Sequence, residues 1–81
     1  MYLEIITPDK KVFAGEVDAA QFPGTNGSFE VLDMHAPLIS TLERGRVRIT
    51  TKQGHEFFTV DGGVVEVLNN NIIVLAESVS E

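Results

Sequence analysis

Turn-forming residues recur along this chain roughly every six to ten positions, and the segments between them are short and rich in Val, Ile, Thr and Phe. Pro8-Asp9, Pro23-Gly24, Asn26-Gly27, His35-Ala36-Pro37, Lys52-Gln53-Gly54, Asp61-Gly62-Gly63 and Asn69-Asn70-Asn71 supply the breaks. No window repeats apolar residues at i, i+3, i+4 and i+7, so no helix is expected. Period-two alternation takes its place. Leu3 and Ile5 share one face, opposite Tyr2 and Glu4, and Val47 and Ile49 share another, opposite Arg46 and Arg48. Ile72, Val74 and Ala76 form one face of "IIVLAES" and Ile73 and Leu75 the other, so that strand is apolar on both sides. Phe29 and Val31 point together within "SFEVL". Asn26-Gly27 predicts a tight hairpin, because both residue types tolerate positive φ. Gly15, isolated inside "KVFAGEV", suggests a bulge or a close backbone approach. Asp61-Gly62-Gly63 marks a point where a strand bends or ends.

About eight or nine short strands follow from this reading. So many strands in 81 residues must close on themselves, because one open sheet would leave an apolar face in water. The expected fold is all-β, a compact sandwich or flattened barrel forming a single domain over residues 1–81. The hydrophobic fraction is 43%, enough for a core, yet a chain this small buries a limited share of its surface. A partner would add to its stability.

Charge and composition exclude several functions. Twelve acidic against six basic residues give a net charge of −6, which argues against binding to nucleic acid phosphates. No Cys is present, so disulfides and thiolate metal sites are ruled out. No apolar run approaches the ~20 residues of a membrane helix, and "MYLEIITPDKK" lacks the basic then apolar order of a signal peptide. Work at a membrane would go through another protein, without direct insertion.

No residue pattern carries catalysis. Histidine as a residue type can shuttle protons, and Ser28, Ser40, Asp33 and Asp61 would be the conceivable triad partners of His35 or His55. None of the serines sits in a nucleophile-elbow motif. Asp33, His35 and His55-Glu56 lack metal-ligand spacing, so no metal site is expected. Asp61-Gly62-Gly63 lacks the spaced oxygen ligands of a calcium loop. Gly62-Gly63 is followed by strand rather than by a helix or a lysine, so it is not a phosphate loop. Arg44, Arg46 and Arg48 form the basic cluster, with a solvated face as its ordinary meaning and an acidic partner patch as the alternative. The stretch "GTNGSFEVLDMHAPLIS" differs from a plain loop. Phe29, Val31, Leu32, Met34, Leu38 and Ile39 cannot all point into one thin sandwich, so some should lie exposed at one end as an interaction surface.

The ordered set Phe13-x-Gly15, Gly24-x-x-Gly27, His35-Ala36-Pro37-Leu38, Gly45-x-Val47-x-Ile49, Gly62-Gly63-x-x-Glu66-Val67 and Val74-Leu75-Ala76-Glu77 resembles the N-terminal domain of the ε subunit of F-type ATP synthase. The resemblance runs from about Leu3 to Glu77. It implies a sandwich of about ten strands in the central stalk of a rotor, with no active site and no cofactor. Its partners would be the γ subunit and the c-ring, and indirectly the α/β catalytic hexamer. It would couple ion-driven rotation to ATP synthesis on the cytoplasmic face of a bacterial plasma membrane. The c-ring-facing positions match Asn26, Gly27, Ser28, Phe29 and Glu30, and the γ-facing ones match His35, Ala36, Leu38 and Ser40. Gly15, Gly24, Gly45, Gly62 and Gly63 would be architectural.

Two departures stand out. Ser28 replaces an acidic residue of many relatives, leaving Glu30 as the candidate anion, and Asp33-Met34 replaces a Pro-Gly or similar pair. The chain also ends at Glu81, where family members commonly continue into a regulatory helical hairpin. The expectation is a naturally short subunit or a cut domain, without hairpin-based inhibition or a nucleotide site. The alternative is a free-standing binding module for a sugar or peptide, poorly served by one Tyr and no Trp.

Overall fold

The computed structural model describes residues 1–80, so Glu81 lies outside the described residues. The chain forms β1 (Tyr2–Ile6), β2 (Lys11–Glu16), β3 (Ala19–Gly24), β4 (Gly27–Leu32), β5 (Leu38–Leu42), β6 (Gly45–Thr51), β7 (Gly54–Val60), β8 (Gly63–Leu68), β9 (Asn71–Ala76) and β10 (Val79–Ser80). There is no helix among the described residues. The expected all-β class is the observed one. The ten strands exceed the eight or nine legible from the residues. The extra strand is β10, whose two residues are too few to show a period.

The order β10-β7-β6-β3-β5-β8-β9-β1-β2, with β4 beside β3, describes one nearly closed sheet folded into two layers. One layer is β10-β7-β6-β3-β4 and the other is β5-β8-β9-β1-β2. They meet at a single pair, Gly24 with Leu42. Pairing is antiparallel except for β1 with β9, which run parallel from Tyr2↔Asn71 to Ile6↔Leu75.

The alternation sorts side chains as the residues predict. Leu3, Ile5, Val65, Val67, Ile72 and Val74 from one layer meet Ala20, Phe22, Val31, Val47, Ile49 and Val60 from the other in a core with no buried polar residue among the described residues. Removing this apolar surface from water is the main favourable term for the fold. Phe22 is the largest fully buried side chain and leans on Phe29, ring centroids 5.6 Å apart. Phe13 and Phe58 close the far edge of the sandwich edge-to-face at 5.8 Å.

Two local readings need correction. The β3–β4 hairpin is displaced by one residue from Asn26-Gly27. Gly24 pairs with Gly27, so Thr25 and Asn26 form the tip and only Gly27 takes positive φ, +123°. Gly15 is not a bulge; it pairs in register with Leu3. The bulge lies where Ile5↔Phe13 is followed by Ile6↔Lys11, leaving Val12 extra. A side chain at Gly15 would meet only the Phe13 ring, at 3.6 Å, so the backbone there is not closely approached. Gly24 and Gly45 differ. A Cβ on Gly24 would lie 2.7 Å from the Gly27 carbonyl, and one on Gly45 would lie 2.7 Å from Pro23 Cβ. Asp61-Gly62 ends β7 and carries the chain across to the other layer. Asn69 and Asn70, at φ +52° and +63°, form the two-residue turn from β8 to β9.

Candidate functional site

The stretch from Gly24 to Ser40 splits between two places. Its first part is the β3–β4 tip. Thr25 is tied to β5 there by its N–H to the Thr41 carbonyl (3.1 Å) and by a 2.7 Å contact between the two hydroxyls. Asn26, Gly27, Ser28 and Glu30 are exposed and Phe29 is half-buried against Phe22. Ser28 Oγ accepts from Gln21 Nε2 at 3.1 Å, and Glu30 Oε2 accepts from Arg48 Nη2 at 3.3 Å. Of the five c-ring-facing candidates, four therefore present polar surface together, and the fifth anchors the hairpin.

The second part is the connection from β4 to β5, Asp33 to Pro37, separated from the tip by the length of β4, roughly 17 Å. The expectation of one apolar end therefore resolves into a polar tip and an apolar end. Val31 is fully buried and Phe29 and Leu38 half-buried, while Leu32, Met34 and Ile39 are 54%, 77% and 70% exposed. Alternation accounts for the division, because β4 and β5 each turn one face to the core.

The connection is held from another layer. Asn70 Oδ1 accepts the Met34 N–H at 2.8 Å, and Asn70 Nδ2 donates to Asp33 Oδ1 at 2.8 Å. The Asn70 amide holds the Asp33 carboxyl below its ordinary pKa, with the nearby amino-terminal ammonium (3.6 Å) acting in the same direction. His35 closes the turn through its N–H to the Leu32 carbonyl at 3.2 Å, and its Nδ1 donates to the Ala36 carbonyl at 2.7 Å. His35 and Ala36 are exposed. Ser40 shares the inward parity of Leu38 and Leu42 and is half-buried; Ile39 and Thr41 are the residues β5 shows to solvent.

Sequence reasoning did not reach the surface next to this end. Strand register aligns Ile39, Glu66, Ile73 and Glu4 in one row across β5, β8, β9 and β1, and Thr41, Val64, Leu75 and Ile6 in the next. Ile39, Val64 and Leu75 are exposed, as is Leu68 at the end of β8. Lys11 Nζ lies 2.6 Å from Glu4 Oε2, whereas Glu66 has no ion pair among the described residues. The signal was β9, apolar on both faces. A strand covered on one side only would alternate.

The opposite outer face is polar. Arg46 lies 4.2 Å over the Phe57 ring, and Arg48 pairs with Glu30, so the basic cluster is largely engaged within the chain. The conceivable triad members do not converge. His55 Nδ1 is 3.0 Å from Thr50 Oγ1, and Asp33 is committed to Asn70. No group of three or more His, Asp or Glu among the described residues is placed to hold a metal ion. Among the described residues no helix is long and apolar enough to cross a membrane.

The two-layer all-β body is one that known proteins share. The ε chain of ATP synthase from Chlorobaculum tepidum is 43% identical over 79 residues, covering 96% of this chain and 90% of that one. The ε chain from Caulobacter vibrioides is 35% identical over 81 residues, covering 100% of this chain and 94% of that one. The ε chain from Desulforamulus reducens is 44% identical over 78 residues, but this chain spans only 58% of its length. Among solved structures, a chain of the Euglena gracilis mitochondrial ATP synthase (OSCP/F1/c-ring) superposes with a TM-score of 0.90 over 96% of this chain and 51% of that one. One from the Tetrahymena thermophila central stalk and c-ring superposes with a TM-score of 0.87 over 100% of this chain and 66% of that one. At 18% and 17% identity these are likenesses of fold. The family described as the β-sandwich domain of the ATP synthase Delta/Epsilon chain matches residues 1–81, and the chain belongs to it.

Proposed function

We propose that this chain is a non-catalytic rotor subunit of an F-type ATP synthase, linking the γ subunit to the c-ring. The observation that carries the reading is the separation of two unlike surfaces on one stiff body. The β3–β4 tip offers small polar groups and a carboxylate, suited to the polar loops of a c-ring. The β4–β5 connection and the flanking β5-β8-β9 face offer apolar contact, suited to a protein subunit. His35, Ala36 and Leu38 stand at the γ-facing end, with Ser40 behind Ile39. Glu66, set between Ile39 and Ile73, calls for a cationic group on γ.

The β core between the two surfaces transmits load because its side chains are close-packed, and packed interiors have low compressibility. Contact with the α/β hexamer is indirect, through γ. As part of such a complex the chain sits peripherally on the cytoplasmic face of a bacterial plasma membrane. The bacterial relatives and the stalk and c-ring origin of the fold neighbours support this placement. Docking and coupling belong to these strands; inhibition and nucleotide binding do not.

Co-purification with the cognate γ subunit tests the reading. The wild-type chain is expected to form a stable complex, and a His35→Ala, Ile39→Arg double variant to weaken it by at least about tenfold, since a charge is buried against an apolar surface. A folded wild-type chain that does not bind γ overturns the proposal. Ile39 is the better probe than Ser40, whose half-buried side chain would confound folding with binding.

The tip is tested separately. Glu30→Lys is expected to weaken association with the c-ring. Because Glu30 also pairs with Arg48, Arg48→Glu is added to restore the internal pair. Binding that stays weak in the double variant assigns the loss to the c-ring contact. Association unchanged in Glu30→Lys removes Glu30 as the anion.

A further inference from the structure

Met34 sits in a backbone conformation that its side chain disfavours. Its φ is +64°. The other described non-glycine residues with positive φ are Asn69 and Asn70, and Asn tolerates this region because its amide bonds locally. A methionine has no such compensation, and a glycine would take the same φ without strain. Packing does not explain the choice either, since Met34 is 77% exposed. The chain thus keeps a long apolar side chain, in water, on a residue where none would be easier. Strained residues that persist in this way cluster at active sites, ligand clamps and switch regions.

Asn70 supplies what holds it. Its amide bonds the Met34 N–H and the Asp33 carboxylate, each at 2.8 Å, from a turn 36 residues away in sequence from Met34. Asn70 is itself in the left-handed region, so the turn conformation and the clasp come from one residue. Leu32 and Ile39, on the strands that flank this connection, and Leu68, at the end of the strand that leads into the Asn70 turn, are exposed as well.

We propose that Met34 is the principal apolar contact of the γ-docking end, a thioether knob for an apolar pocket on γ, and that Asn70 is the positioning residue that aims it. The inference rests on the docking reading above and deepens it. Thioethers suit such a role because they are polarizable and adapt to irregular pockets.

The distinguishing result is a divergence between stability and binding. With the full chain and cognate γ, Met34→Gly is expected to leave Tm unchanged or higher, because strain is released, and to raise the Kd for γ about tenfold or more. Met34→Leu keeps apolar bulk and is expected to stay within about threefold of wild type. Asn70→Gly keeps the turn accessible and removes the clasp, raising the Kd several-fold. In the Met34→Gly background the same change is expected to add almost nothing, because Asn70 acts through Met34. If wild type binds γ and Met34→Gly binds equally well, the Met34 assignment falls and the docking reading stands. Loss of both Tm and binding in Met34→Gly makes Met34 structural and also overturns it. An additive Asn70→Gly effect removes the positioning role. A folded wild type that ignores γ defeats the docking reading and this inference together.

Discussion

Gly63→Ala is expected to destabilise the fold by about 3–5 kcal/mol and to lower Tm by roughly 15–30 °C. Two effects add. Gly63 has φ +144°, a region that residues with a side chain rarely enter. A Cβ built there would also fall inside contact distance of the Leu75 carbonyl oxygen and 3.0 Å from Ala76 Cα. Both obstacles are backbone of the paired strand β9, which cannot swing aside as a side chain would. Relief requires breaking the Gly63↔Ala76 pair at the start of β8. Total stability of domains this small is of order 4–12 kcal/mol, so the change removes a large part of it. Thermal denaturation followed by circular dichroism reads the effect directly. A Tm within a few degrees of wild type would mean that the corner between β7 and β8 relaxes.

Phe22→Ala is expected to cost about 3–5 kcal/mol, the usual range for deleting a buried aromatic ring. Phe22 is fully buried and sits on β3 just before the strand meets the other layer at Gly24. Its ring supports Phe29, which anchors the β3–β4 tip. Two consequences should therefore appear together: a lower midpoint in urea unfolding, and faster amide exchange from Thr25 to Phe29. A stability loss without change at the tip would sever the link drawn here between core packing and the polar surface. The smaller Phe22→Leu should keep most of the stability and most of the protection.

Much of the fold was legible because period-two alternation reports directly on which face is buried. Val47 and Ile49, Leu3 and Ile5, and Ile72 and Val74 all point inward as their spacing requires. What alternation cannot report is which strands become neighbours. The row Ile39-Glu66-Ile73-Glu4 joins four strands distant in sequence, so the apolar flank was invisible until register was known. The Asn70 clasp on Asp33 and Met34 is hidden for the same reason. "NNN" signals a turn, not the partner that a turn side chain will find. The β3–β4 tip was misplaced by one residue because Asn-Gly announces a hairpin without fixing its loop, and pairing of Gly24 with Gly27 decided it. The strand that separates the two surfaces is announced by "SFEVL", but that the tip and the connection stand at its opposite ends follows only from its pairing with β3.

The parallel pairing of β1 with β9 has a consequence for biogenesis. Tyr2 through Ile6 find their inner neighbours only when Asn71 through Leu75 exist. As the ribosome delivers the chain, β1 can pair with β2 alone, and such a lone hairpin is marginal in water. Its layer closes only after β8 and β9 emerge, so the fold completes in one late step rather than hairpin by hairpin. Long-range pairing of this kind sets folding on the slow, millisecond-to-second side for so small a protein. During that interval the apolar stripe of β1 is open to wrong partners. The charged and turn residues that follow it, Pro8 to Lys11, are then the local guard against premature sheet extension.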